Sequence, residues 1–164
     1  MNKTFLTAES VCQGHPDKLC DFIADSVLDA CLEIDKMSRV ACEVMATKNK
    51  IVVAGEITCN GKLYLKKVVK DALRRAGYNP NFFKITSYIS KQSSDIADGV
   101  DNALESRNGD HSMFSELGAG DQGTVYGFAT NETEEMLPLP IVLAHGICRG
   151  VDIARRTGNI KGIL

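Results

Sequence analysis

A short motif at residues 14–18 combines side chains that bind phosphate groups. Gly14-His15-Pro16-Asp17-Lys18 places a base, an acid and a cation together at the predicted start of a helix. Helix amino termini bind anions because their first N–H groups lack partners. His15 and Lys18 can donate hydrogen bonds to phosphate oxygens, and Asp17 can hold a Mg²⁺ ion that bridges them. A capped helix with a chance histidine explains the motif equally well.

Two glutamates interrupt apolar runs further along the chain. Glu43 lies within residues 40–47, and Glu56 lies within residues 51–59. A buried carboxylate requires a partner, a metal ion or the ammonium group of a ligand. If both side chains face outward from a sheet that is covered on one side, they require none of these. The sequence leaves the two interpretations evenly balanced.

The third candidate is the glycine-rich segment Gly118-Ala119-Gly120-Asp121-Gln122-Gly123. Its three glycines allow the backbone to approach a ligand closely, and Asp121 and Gln122 offer polar contacts. The segment lacks the GK[ST] ending of a Walker loop. Its GxGxxG spacing has no clear preceding strand and no following helix. The pattern alone is therefore a weak indication of a binding loop.

Apolar periodicity predicts the elements that position these motifs. The predicted order is strand 4–8, helix 16–35, strands 40–47 and 51–59, a helix from 65 to about 76, and strand 83–90. Gly77 is a plausible stop for the second helix. This order predicts the α+β class, with a βαββαβ-type split sheet and helices on one face.

The pattern changes after the last of these strands. Residues 91–123 are rich in serine, aspartate and glycine, and a loop this long in a compact domain is either functional or disordered. A strand is predicted at 126–130, and a helix is predicted from Pro140 to about Gly158. We expect these two elements to begin a second, incomplete domain of the same kind.

Composition and charge exclude several classes of protein. Nineteen Lys and Arg against twenty-one Asp and Glu give a net charge of -2, which argues against a nucleic-acid binder. No apolar run approaches the roughly 20 residues of a membrane span. The first nine residues lack the apolar core of a signal peptide, so we expect a cytoplasmic protein. The six cysteines lack zinc-site spacing, and we expect most to be buried thiols.

Taken together, these segments resemble the amino-terminal portion of the methionine adenosyltransferase (S-adenosylmethionine synthetase) family. In the family's order, the resemblance is carried by Glu9-Ser10-Val11, Gly14 to Lys18, Gly55-Glu56-Ile57-Thr58, Gly77-Tyr78, Lys91-Gln92-Ser93, Gly99-Val100-Asp101, Gly118 to Gly123, Gly127 to Thr133, Pro138-Leu139-Pro140 and Ala144-His145. It implies synthesis of S-adenosylmethionine from ATP and L-methionine, with release of phosphate and pyrophosphate. It also implies Mg²⁺ and K⁺ as cofactors and a homo-oligomer whose sites lie between two subunits.

The resemblance implies a role for each candidate residue. His15 is the catalytic residue beside the triphosphate, and Lys18 and Asp121 also bind ATP. Glu56, Gln92 and Asp121 bind methionine, Asp17 is a Mg²⁺ ligand, and Glu43 is a K⁺ ligand. The residues implied for a loop that gates the site are Lys91, Gln92, Ser93, Ser94, Asp95 and Gly99. His145 also matches a family position, where a packing role is equally plausible.

The resemblance further implies the domain organisation. Residues 1–101 form the amino-terminal domain including the mobile loop 91–101, residues 102–124 form the glycine-rich substrate-site loop, and residues 125–164 form the truncated start of the central domain. Family members continue into further ATP-binding residues, so we expect this chain alone not to turn over. It then acts with a complementary synthetase chain, or as a non-catalytic fragment or regulatory module that pairs with a full-length synthetase.

Four positions depart from the family pattern. Cys12 and Gln13 stand where small and acidic residues are usual, and Ser94 replaces a usual proline. Gly146 lies within a predicted helix, where glycine costs about 1 kcal/mol relative to alanine. None of these four positions coincides with a proposed ligand.

Overall fold

The computed structural model describes residues 5–91, 108–109 and 123–160. The chain forms two compact units, one comprising Met1–Leu19 with Val125–Leu164 and the other Cys20–Thr124. The division falls within the first helix, α1, which spans Pro16–Ile34. The candidate residues are therefore shared between two units.

The unit formed by residues 20–124 is built on a three-stranded mixed sheet. Its strands are β1 (Arg39–Thr47), β2 (Lys50–Thr58) and β3 (Lys84–Ser90), in the order β1-β2-β3. β1 and β2 form an antiparallel hairpin, whereas β2 and β3 are parallel. A parallel pair requires a crossover, and here it carries helix α2 (Leu65–Arg75) and a short 3₁₀ turn (Pro80–Phe82).

One face of this sheet is covered by helices. Val27 and Cys31 of α1 form a buried cluster with Ile57 of β2, and Val40, Val68 and other partly buried side chains pack against it. Alternate residues of the strands point to the opposite face, as the period of a β-strand requires. The largest fully buried side chains in this layer are Ile23, Val27, Cys31, Ile51, Val53, Val69 and Leu73. The prediction of helices on one face of the sheet is confirmed.

Gly55 is a glycine for steric reasons. Its φ angle is +138°, in a region that L side chains rarely adopt. A Cβ atom at this position would lie 2.0 Å from the carbonyl oxygen of Ala41 on the paired strand. Any side chain would separate β1 from β2 next to Glu56.

Helix α2 ends just before Gly77, the predicted stop. Gly77 has a φ angle of +93°, and the Tyr78 amide donates to the Leu73 carbonyl at 2.9 Å. This is the hydrogen-bond pattern of a helix that ends at a left-handed glycine. The predicted role of Gly77 as the stop of this helix is confirmed.

The last helix, α3, spans Leu139–Arg156, and Gly158 follows it with a φ angle of +76°. None of the residues of α3 is fully buried. The strand predicted at 126–130 is absent, because this segment has no neighbouring strand among the described residues, and Tyr126 is 91% exposed. A strand without a partner leaves its backbone hydrogen-bonding groups unsatisfied, so the apolar pattern alone does not form one.

The strand predicted at 4–8 is also not formed in its described part, since residues 5–8 have no regular structure. The other predicted elements are present, with ends shifted by one or two residues, and the α+β class is confirmed. No described helix is both long enough and apolar enough to cross a membrane.

Candidate functional site

The motif at residues 14–18 forms the amino terminus of α1. His15 is the residue before the helix, and its carbonyl accepts the first helical hydrogen bond, from the Leu19 amide at 2.9 Å. Pro16 occupies the first helical position, where its missing N–H costs nothing. The His15 amide is held by the Cys12 carbonyl at 3.0 Å, so a turn fixes the approach to the helix.

The ring of His15 is oriented by the backbone that follows it. The Asp17 amide donates to Nδ1 of His15 at 3.3 Å. In the neutral ring the proton is then on Nε2, which leaves this nitrogen able to donate to a ligand. The side chain of His15 is 41% exposed, so a ligand can reach it.

Two charged side chains flank this histidine. The Asp17 carboxylate lies 4.0 Å from Nδ1 of His15 and is 89% exposed. Nζ of Lys18 donates to the Val11 carbonyl at 3.3 Å, and its side chain is exposed. A carboxylate and a cation thus lie within the first turn of a helix, at the positive end of its dipole, which is an arrangement suited to an anion that carries a cation with it.

The segment before this motif is held on one face of α3. Ser10 Oγ lies 2.9 Å from Nδ1 of His145, and the Gln13 amide donates to Oδ2 of Asp152 at 3.0 Å. Arg156 donates to the side-chain amide oxygen of Gln13. Sγ of Cys12 also donates to the Cys148 carbonyl at 3.8 Å. The contacted positions on α3 are therefore 145, 148, 152 and 156, whose spacing of three, four and four places them on one helical face.

Sequence reasoning missed most of this face. It singled out His145 but did not connect it to Ser10, and it did not single out Asp152 or Arg156. The signal that could have revealed this face is the helical spacing of His145, Cys148, Asp152 and Arg156 along the sequence. Cys12 and Gln13, which depart from the family pattern, both contact α3.

Glu43 and Glu56 lie on the open face of the sheet, opposite the helices. Glu43 is paired with Ala54, and Glu56 is paired with Ala41, so the two glutamates occupy diagonal positions on neighbouring strands. Diagonal positions of this kind lie about 7–8 Å apart. Glu43 is exposed and Glu56 is half-buried. The structure therefore favours the outward-facing interpretation for both carboxylates within this chain.

Two family models match the chain consecutively. The model described as "S-adenosylmethionine synthetase, N-terminal domain" matches residues 3–98, and that described as "S-adenosylmethionine synthetase, central domain" matches residues 116–163. The chain belongs to the S-adenosylmethionine synthetase family. The predicted resemblance is thus confirmed.

Bacterial relatives agree with this assignment. The S-adenosylmethionine synthase of Clostridium botulinum (strain Alaska E43 / Type E3) is 44% identical, with 96% of this chain and 42% of the relative covered. That of Desulforudis audaxviator (strain MP104C) is 41% identical, with 98% and 42% covered. That of Akkermansia muciniphila is 46% identical, with 92% and 39% covered. The chain therefore spans about 40% of the length of these curated relatives.

The candidate residues fall into three groups. His15, Asp17 and Lys18 lie together at one helix start, in the unit that contains α3, and Glu43 and Glu56 lie together on the sheet of the other unit. Lys91 is exposed and directly follows β3. The candidates outside the described residues are Gln92, Ser93, Ser94, Asp95, Gly99 and Asp121.

The cations that the family implies can be tested against the carboxylates of this chain. Within residues 5–91, 108–109 and 123–160, no three His, Cys, Asp or Glu side chains converge as a metal cage. Mg²⁺ bound with a polyphosphate needs only one or two protein carboxylates, since phosphate and water oxygens complete its shell. The exposed carboxylate of Asp17 fits that requirement, and the exposed carboxylate of Glu43 offers oxygen ligands of the type that K⁺ accepts.

Proposed function

We propose that this chain supplies the amino-terminal part of a methionine adenosyltransferase, a transferase that makes S-adenosylmethionine from ATP and L-methionine. The observation that carries the proposal is the start of α1, where His15, Asp17 and Lys18 are all accessible at a helix amino terminus. Family membership supports it, because the related proteins are named S-adenosylmethionine synthases.

The proposed chemistry depends on stabilising a leaving group. The methionine sulfur attacks C5′ of the ribose, and the bond to the triphosphate breaks with its electron pair going to the phosphate oxygen. Nε2–H of His15 donates to that oxygen as its negative charge grows, and Lys18 offsets charge on the same chain of phosphates. The remaining acceleration comes from holding sulfur, carbon and oxygen in line. The triphosphate is then cleaved to phosphate and pyrophosphate.

Mg²⁺ and K⁺ are the proposed cofactors. Asp17 would hold Mg²⁺ and Glu43 would hold K⁺, and these cations supply positive charge that stabilises the triphosphate. Glu56 would bind the substrate ammonium group, which its half-buried carboxylate suits. Gln92 and Asp121 are proposed as further methionine contacts, and Asp121 also as an ATP contact.

The proposed domain organisation follows the same assignment. Residues 1–101 make the amino-terminal domain, residues 102–124 the substrate-site loop, and residues 125–164 the start of the central domain. Within the first, residues 91–101 are proposed to gate the site. Since ATP and methionine are cytoplasmic metabolites, the proposed reaction places the chain in the cytoplasm.

The proposed partner is a second synthetase chain, identical or complementary. The open face of the sheet exposes Met45 and Tyr88, which are 58% and 68% accessible, beside Glu43 and Glu56. Exposed apolar residues flanking carboxylates favour a protein partner on this face. A partner there would bury the two glutamates and place them next to bound substrate.

The test is production of S-adenosylmethionine and phosphate from ATP, methionine, Mg²⁺ and K⁺. Three samples are compared: this chain alone, this chain mixed with the carboxy-terminal part of the Clostridium botulinum synthase, and a fusion of the two. We expect turnover in the fusion or the mixture and none from the chain alone. In the active sample, His15→Ala should lower kcat about 10²- to 10³-fold.

A matched pair of lysine variants separates binding from folding. Lys18→Ala should raise the KM for ATP, whereas Lys62→Ala, an exposed lysine in the other unit, should leave both constants unchanged. A fusion that folds yet produces no S-adenosylmethionine would overturn the proposed activity. In that case, increased or decreased turnover of a full-length synthetase on adding this chain would favour the regulatory module.

A further inference from the structure

Two of the six cysteines meet across the contact between the amino-terminal segment and α3. Sγ of Cys12 donates to the Cys148 carbonyl at 3.8 Å, although the residues are 136 positions apart in the chain. Burial and then a hydrogen bond with the Cys148 side chain raise the pKa of Cys12. The thiol of one residue is thus a direct neighbour of the other, within a single structural unit.

The surrounding contacts hold the two residues in this position. The amide of Gln13, the residue next to Cys12, is fixed by the carboxylate of Asp152, and Ser10 is paired with His145. Asp152 in turn lies 3.9 Å from Arg155. Polar contacts therefore flank the thiol pair on both sides and hold the two residues close together in the folded chain.

A second thiol pair in the chain provides an internal comparison. Sγ of Cys59 donates to the Cys31 carbonyl at 3.8 Å. Burial, followed by the neighbouring Cys59, raises the pKa of Cys31 to about 11. Cys31 is fully buried, whereas Cys12 and Cys148 are both half-buried. An oxidant can therefore reach the pair of Cys12 and Cys148 more readily than the pair of Cys31 and Cys59.

We propose that Cys12 and Cys148 form an oxidation site at which a disulfide links the amino-terminal segment to α3. The two thiols lose two protons and two electrons to a diazene oxidant, and the oxidant is reduced to a hydrazine. One S–S bond replaces two S–H bonds. The disulfide fixes the segment that leads directly into His15, and a thiol reductant reverses it.

The experiment is oxidation of the full chain with diamide at low protein concentration in mildly alkaline buffer. The mild alkali increases the thiolate fraction of groups whose pKa is raised. Tryptic peptides 4–18 and 108–149 each contain one cysteine, Cys12 and Cys148 respectively, so a link between them identifies the bond without ambiguity. We expect this cross-linked pair to form before a link between Cys31 and Cys59, which would join peptides 19–36 and 51–62. Because peptide 19–36 contains both Cys20 and Cys31, fragmentation of that cross-linked pair is needed to show which of the two is bonded.

Variants and amide exchange complete the test. Cys12→Ser and Cys148→Ser should each abolish the cross-link, while Cys42→Ser, another half-buried cysteine, should retain it. In the oxidised chain, exchange of the Gln13 amide should slow about tenfold or more, because the segment can no longer separate from α3. Far-UV circular dichroism checks that each variant keeps its helix content.

Three results would overturn the proposal. One is the absence of the 4–18 to 108–149 link while the core pair is oxidised. Another is a link that forms only between two chains, detected as a dimer on a non-reducing gel. The third is a cross-link that forms without any slowing of exchange at Gln13, which would show that the disulfide captures an opened segment rather than the docked one.

Discussion

Helices α2 and α3 differ in what covers them. α2 lies against the sheet and buries Val69, Ala72 and Leu73, whereas no residue of α3 is fully buried and Ile147 is 68% exposed. Both helices have an apolar stripe, but only α2 finds its sheet among the described residues. An amphipathic stripe therefore specifies a helix, while the covering element decides whether the stripe contributes to stability.

The largest expected difference between these helices concerns their apolar side chains. Leu73→Ala should lower the free energy of unfolding by about 2–5 kcal/mol, because it removes buried methyl groups and leaves a cavity. Ile147→Ala should change it by less than about 0.5 kcal/mol, since that side chain is already in water. Urea denaturation followed by circular dichroism measures both. Equal losses in the two variants would show that α3 is covered in solution, and the contrast would then fail.

The next largest effect concerns Gly55, in the unit that contains the sheet. Gly55→Ala should destabilise the chain by about 2–4 kcal/mol, through the contact with the Ala41 carbonyl and the unfavourable φ angle. Because β1 and β2 would separate, the relative positions of Glu43 and Glu56 would also change. Thermal unfolding of the variant gives the loss. A variant as stable as the original chain would mean that the strand pairing at Gly55 is looser than described.

The glycines of α3 should respond in the opposite direction. Among the residues that the structure describes, none lies within 4 Å of a Cβ atom placed at Gly146 or Gly150, so Gly146→Ala and Gly150→Ala meet no described neighbour. Each should stabilise α3 by about 1 kcal/mol, through the lower backbone entropy cost of alanine. An increase in helix content and in the unfolding midpoint would confirm it. A loss of stability would instead indicate that another surface packs closely against these glycines.

The same contrast explains what could be predicted from the sequence. Helices α1 and α2 and the three strands were predicted because their partners lie nearby in the chain, and the local pattern agrees with the packing. The prediction of a strand at 126–130 was wrong. Tyr126 and Phe128 give this segment the alternation of a strand, but no described strand pairs with it. Apolar periodicity does not reveal whether a partner is present.

The candidate site shows the same limit. The motif at residues 14–18 was recognised as one group because its members are neighbours in sequence at a helix start. The face of α3 that holds Ser10 and Gln13 was missed, since these contacts join residues more than 130 positions apart. Glu43 and Glu56 were placed on strands correctly, but their shared face depends on strand register, which the hairpin turn sets. The roles proposed for Gln92 and Asp121 stay predictions.

The smallest expected effect is a pH dependence of stability caused by Asp35, which follows α1 in the unit that contains the sheet. Hydrogen bonds from the backbone amides of Asn60 and then Met37, both 2.9 Å, lower the pKa of Asp35 below its usual value. Because the folded pKa lies below the unfolded one, the stabilisation is fully present above the unfolded pKa. It is lost as the pH falls through the folded pKa.

Asp35→Asn should therefore reduce stability near neutral pH and flatten its decline in acid, as measured by unfolding midpoints across a pH series. Asn60→Ala is the matched control, since it keeps the backbone amide that donates to the carboxylate and should keep the acid-dependent loss. An equal decline in acid for Asp35→Asn and the original chain would show that these two amide bonds do not stabilise the charged carboxylate. The packing of α1 against β2 would then depend on apolar contacts such as that of Cys31 with Ile57.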